Sequence, residues 1–125
     1  LKVVDASAVC AVLFGEPEGR LVIDQLGSEP LAAPTLLTYE VANTCWKKLR
    51  RHPEQRAQLL AAHARFERLG LEQAPVDPAA VVQLAESTGL TAYDAAYVWL
   101  AGALGVELVS LDSRVQRAAA AQRQG

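Results

Sequence analysis

The chain has 125 residues, 51% of them hydrophobic and 21% charged, with a formal net charge of −2 at pH 7. That length predicts one domain over residues 1–125 with a proper apolar core, and the charge excludes binding of polyanions by bulk electrostatics. No apolar run reaches membrane-spanning length and no secretory signal is visible, which predicts a cytoplasmic protein with no membrane partner.

The chain holds no methionine and opens on strand-like residues, so its initiator is expected to precede Leu1. Leu1 to Val4 reads as a short strand buried on both faces, ending at Asp5. Ser7 to Phe14 predicts a helix, broken at Gly15-Glu16-Pro17. A second helix begins with Pro17 in its first turn and stops at Gly27. Leu31 to Ala33 is a second short strand. Thr35 is the expected N-cap of a helix that keeps Leu37, Val41, Cys45 and Leu49 at helical spacing up to Pro53. Glu54 to Leu69 predicts a further helix, and Leu71 to Ala74 a third strand. Asp77-Pro78 opens a helix that Gly89 closes. Thr91 to Leu104 is a helix with no polar stripe, which belongs inside a domain. Val106 to Leu111 is the last strand, and Ser113 to Gln122 the last helix. Cys10 and Cys45 lie in apolar helical contexts without CxxC spacing and read as buried thiols in a reducing compartment. Short apolar strands alternating with helices predict an α/β fold whose parallel sheet is covered on both faces.

In such a sheet, ligands bind at the edge formed by the strand C-termini. Asp5 ends the first strand, and Asp112 the last. Glu40 falls in the second turn of the helix after the second strand, and Asp94 in the first turn of the apolar helix. Each has a plainer reading. Asp5 and Asp112 could cap the helices that follow them, Glu40 could be solvated, and Thr91 with Asp94 has capping-box spacing. Together, however, four carboxylates on one edge repel one another, and a cation would relieve them. Oxygen donors without accompanying His or Cys point to Mg²⁺ or Mn²⁺.

The four segments VVDASA at Asp5, TYEVAN at Glu40, TAYDAAY at Asp94 and LVSLDSRV at Asp112 resemble, in order and over essentially the whole chain, the acidic motifs of PIN-domain ribonucleases. The similarity is greatest to VapC-type toxins of bacterial toxin–antitoxin pairs. The resemblance implies a three-layer α/β/α fold with a short-stranded parallel central sheet. It also implies Mg²⁺- or Mn²⁺-dependent endonucleolytic cleavage of RNA by an activated water, leaving a 5′-phosphate and a 3′-hydroxyl. By the same analogy Asp5, Glu40, Asp94 and Asp112 are catalytic. Asp5 and Asp94 hold the metal, with Glu40 and Asp112 completing its site directly or through water. Ser7 and Ser110 match hydroxyl positions that orient water, ligand or phosphate, and Asn43 could face the same cleft.

The basic residues Lys47, Lys48, Arg50 and Arg51 either complement the dipole of the helix they end or form a phosphate track, with Arg56, Arg65 or Arg114 as additions. The resemblance further implies a homodimer and a small antitoxin that blocks the acidic pocket. Trp46, Leu49, Phe66 and Leu69 are candidates for a partner surface or for core. Two other readings are weighed. A phosphoaspartyl phosphohydrolase would carry an Asp where Ser7 stands and a later Lys, and no Lys follows Lys48. A receiver-like binding module would need a late Lys as well, and a degenerate PIN-like module would have lost an acid.

Overall fold

The computed structural model describes residues 1–124. Four parallel strands form one sheet in the order β3-β2-β1-β4: β1 (Lys2–Val4), β2 (Leu31–Ala33), β3 (Glu72–Gln73) and β4 (Leu108–Val109). Val3 of β1 stands against Ala32 on one side and Leu108 on the other. The central strands are buried on both faces, as their run of apolar residues requires.

The connections β1 to β2 and β2 to β3 step outward one way. The connection from β3 to β4 returns past both and lands on the far side of β1. Right-handed crossovers therefore place the first helices on one face and the later ones on the other. The first layer holds α1 (Ala6–Leu13), α2 (Gly19–Leu26), α3 (Leu36–Arg51) and α4 (Arg56–Ala64). The second holds α5 (Pro78–Thr88), α6 (Ala92–Leu104) and α7 (Ser113–Gln124). This is the three-layer α/β/α architecture. The reversal of strand order falls between β1 and β4, where parallel α/β sheets open a crevice.

α6 is the helix the second layer is built on. Ala95 to Val98, Leu100 and Ala101 are all buried, and α5 and α7 pack against it. In the first layer α2 lies so close to α1 that a Cβ on Gly19 would meet the Ala11 carbonyl oxygen at 2.6 Å. Gly89 ends α5 at φ 76°, a left-handed turn that suits glycine. Both cysteines are free and buried; burial pushes the Cys10 thiol up to about 11 and raises that of Cys45. Among the described residues no helix is long and apolar enough to cross a membrane.

Several boundaries differ from expectation. The helix expected over residues 54–69 is α4 flanked by two 3-10 turns, Pro53–Gln55 and Arg65–Leu69. The second turn tightens the chain so that Phe66 and Leu69 fold back onto the core. α2 starts at Gly19, leaving Pro17 in the preceding turn. Thr35 precedes α3 in helical conformation and makes no side-chain cap. The third strand shrinks to Glu72–Gln73, where β2 supplies partners. The last strand is only Leu108–Val109, because the next backbone donors are taken by side chains: Leu111 N–H by Ser7 and Asp112 N–H by Ser110.

Candidate active site

Asp5 sits where β1 stops. Its N–H still bonds to the Val109 carbonyl of β4 at 3.2 Å, and its side chain turns to cap α1. Oδ1 accepts the Ala8 N–H at 3.1 Å and the Ser7 hydroxyl at 2.7 Å; Oδ2 accepts the Ser110 hydroxyl. A carboxylate has about four acceptor sites, so three are filled and one is left over. This is how a carboxylate only 5% exposed is tolerated. Each serine hydroxyl has a second task. Ser7 Oγ accepts the Leu111 N–H and Ser110 Oγ the Asp112 N–H, both at 3.0 Å. A backbone N–H can only donate, so each hydroxyl spends its own proton on Asp5. The two serines thereby tie the turn after β1 to the turn after β4, across the crevice.

Asp112 caps α7. Its Oδ1 accepts the N–H groups of Arg114 at 2.8 Å and Val115 at 3.4 Å, and the Arg114 guanidinium lies 3.5 Å from Oδ2. Burial would raise this carboxyl, but the cap and the guanidinium outweigh it and hold it below the usual carboxylate range. The plainer readings of Asp5 and Asp112 as caps are therefore correct as far as they go. Capping is also what aims both residues along the same edge.

The other two acids are carried by helices. Glu40, half-buried in the second turn of α3, accepts the phenol O–H of Tyr97. Burial raises its carboxyl most. The Tyr97 bond opposes that rise, while the charges of Asp94 and Asp5 add to it. Asp94, in the first turn of α6, donates its N–H to Thr91 Oγ1 at 3.1 Å, the half of the capping box formed among the described hydrogen bonds. Its carboxyl is raised by burial first and then by Asp112 and Asp5; Arg114 and Thr91 oppose the rise. Glu40 thus feels the charges of Asp94 and Asp5, and Asp94 those of Asp112 and Asp5, at the crevice.

Tyr97 is the residue that the sequence reading passes over, because a tyrosine in an apolar helix reads as core. It is 1% exposed. Burial, followed by the bond to Glu40 and that residue's charge, raises its phenol strongly, so it remains a neutral donor. The signal is present in TAYDAAY, where Tyr97 follows Asp94 by one helical turn and shares its face.

The remaining candidates lie apart. Asn43, a turn beyond Glu40, is exposed, and among the described hydrogen bonds none joins it to an acid. Lys48 pairs with Glu16 at 3.3 Å and lies over the Phe14 ring, at the far end of α1. Arg50 stacks on Trp46, and Arg65 donates to the Leu13 carbonyl at 3.1 Å. Lys47, Arg51 and Arg56 are exposed. Eight residues of helix separate Glu40 from Lys48, about 12 Å along the axis. Of the partner-surface candidates Trp46 is exposed, Leu49 is half-buried, and Phe66 and Leu69 pack on the core. His52 pairs with Glu54, and His63 lines a groove beside α3.

The donor set suits a hard divalent cation. It consists of carboxylate and hydroxyl oxygens, and two of its carboxyls are raised by burial and by their neighbours' charges. Among the described residues no three His, Cys, Asp or Glu side chains stand close enough to enclose an ion unaided. That spacing is compatible with Mg²⁺, which keeps several waters and takes one or two carboxylates.

Comparison with known proteins agrees with the fold. A family model described as the PIN domain matches residues 2–121. Ribonuclease VapC9 of Mycobacterium tuberculosis is 36% identical over 130 aligned positions, covering 96% of this chain and 92% of its own. Ribonuclease VapC3 of Pyrobaculum aerophilum is 33% identical over 120, covering 90% of each. The crystal structure of PAE2754, also from Pyrobaculum aerophilum, superposes with a TM-score of 0.74 at 28% identity, covering 94% of this chain and 83% of that one.

Proposed function

The chain belongs to the PIN-domain family, and from that premise we propose that it is a VapC-type toxin, an endoribonuclease that hydrolyses RNA phosphodiester bonds at the edge carrying Asp5, Glu40, Asp94 and Asp112. The observation that carries the reading is that edge. Asp5 and Asp112 end neighbouring strands and are linked through Ser110, Glu40 and Asp94 feel the charge of Asp5 from helices of the two layers, and relatives named as ribonucleases match 90–96% of the chain.

Asp5 and Asp94 would hold Mg²⁺ or Mn²⁺, with Glu40 and Asp112 completing the site directly or through water. Such a cation would supply Lewis acidity, lowering the pKa of a water and offsetting charge on the phosphodiester oxygens. The protein's own part is positional. Ser7, Ser110 and the Ala8 N–H fix the plane of the Asp5 carboxylate. Tyr97 engages Oε1 of Glu40 and leaves Oε2 to orient water. The cap and the Arg114 guanidinium fix the Asp112 carboxylate at the start of α7 and lower its pKa. The protein acts in the cytoplasm as a homodimer, and its activity is blocked by a small antitoxin that covers the acidic edge.

The test is cleavage of end-labelled RNA in Mg²⁺, Mn²⁺ or EDTA, beside an Asp94→Asn variant purified identically. The expected result is metal-dependent cutting that EDTA abolishes and that the variant lacks by a factor on the order of 10²–10³. Equal cutting by the two proteins would contradict the reading.

A further inference from the structure

The longest basic run of the chain lies at the wrong end of α3 to touch a phosphate held at the acids. The cation beside the acids is Arg114, in the first turn of α7. Arg114 and Arg117 are one turn apart on one helix face. With Thr88, Gly89, Leu90 and Ala118 they line a hollow of about 350 Å³ between the α5–α6 turn and the first turns of α7. We propose that this hollow is a phosphate subsite, seating an RNA backbone phosphate next to the one that is cleaved. The inference rests on the ribonuclease reading and adds to it the direction in which the strand leaves the site.

Three observations carry it. First, the hollow adjoins the reacting edge: Arg114 lies 3.5 Å from the Asp112 carboxylate and bears on Asp94 as well. Second, its only charged lining groups are the two guanidiniums. Arg117 is exposed and forms no ion pair among the described residues, while Arg114, with five N–H donors, has several left after Asp112. A guanidinium fork matches phosphate oxygens in pairs. Third, the opposite wall is already committed. Thr88 Oγ1 donates to the Leu84 carbonyl at 2.7 Å and accepts the Leu90 N–H at 3.3 Å, and the Gly89 N–H is taken by Ala85. The wall holds its shape and leaves the arginines as the recognition groups.

The experiment measures binding of a fluorescent single-stranded RNA to the non-cutting Asp94→Asn protein as a function of salt, with further changes added on that background. Each phosphate contact on a single strand contributes about 0.7 to the slope of log K against log salt. Arg117→Ala is expected to lower the slope by about 0.7 and to weaken binding about fivefold at 0.1 M salt, whatever the RNA sequence. Arg117→Lys should restore most of the slope. Arg20→Ala, an exposed arginine on α2, removes the same charge elsewhere and should leave the slope unchanged. Arg117→Ala indistinguishable from Arg20→Ala would overturn the subsite while leaving the ribonuclease reading standing. No RNA binding by the Asp94→Asn parent, together with no cleavage by the wild type in Mg²⁺ or Mn²⁺, would overturn both.

Discussion

Asp5 and Asp112 stand at the ends of neighbouring strands, and each is held by donors from the turn that follows its strand, Asp5 also by Ser110 at the end of β4. Glu40 and Asp94 stand on helices in opposite layers and are not so provided. Glu40 has Tyr97, Asp94 has the Thr91 hydroxyl beside it, and in both cases burial and the other acids win. Only the strand side includes a carboxyl held below its ordinary range; on the helix side both are held above theirs. The strand pair is part of the fold, because its hydrogen bonds also close the turns after β1 and β4. The helix pair is a charge brought to the edge at some expense to stability, which a cation bound between the two sides would offset.

This contrast can be broken at specific atoms. Ser110→Ala should have the largest effect on stability. It leaves the Asp112 N–H without its acceptor and removes a donor from buried Asp5, a loss of about 2–3 kcal/mol by urea denaturation. Full retention of stability would mean that the serine ties do not hold the crevice. Tyr97→Phe keeps the ring and deletes the one side-chain donor to Glu40 among the described residues. Stability should fall by about 1 kcal/mol or less, while cleavage drops about 10–100-fold. Cleavage unchanged beside an inactive Glu40→Gln variant would show that Glu40 needs no support. The smallest effect has the opposite sign. Raised carboxyl pKa values favour folding below the ordinary carboxyl range, near pH 4, and that favour is lost as pH rises through the raised values. Asp94→Asn should therefore melt a few degrees above the wild type at pH 7 without metal, and the gain should disappear towards pH 4. A variant less stable at pH 7 would mean that the Asp94 charge is already compensated by protein.

Much of the edge is legible in the sequence because each acid sits at a recognisable boundary: Asp5 and Asp112 after short strands, Asp94 behind the cap Thr91, and Glu40 a turn into a helix. A parallel sheet covered on both faces follows from alternation alone; which helices share a face follows only from the strand order. What escapes depends on three-dimensional direction. Tyr97 looks like core until α6 is known to face α3 across the crevice. The basic residues from Lys47 to Arg51 are legible as the end of the helix whose second turn carries Glu40, and the structure gives Lys48 its partners there, Glu16 and the Phe14 ring. Arg117 gains meaning only from the turn at Gly89, which no local pattern places beside it. β4 is shorter than its apolar run because pairing stops where the oxygens of Ser7 and Ser110 take over the next backbone donors.

The most direct test of the uncompensated helix pair is calorimetric titration with Mn²⁺ of the wild type and of Asp94→Asn, with melting followed at the same metal concentrations. The account predicts that the wild type binds Mn²⁺ and gains stability with concentration, by about 2.7 kcal/mol at a hundredfold excess over Kd. Asp94→Asn should lose both the heat and the shift. Equal binding by the two proteins, or no binding by the wild type, would contradict it.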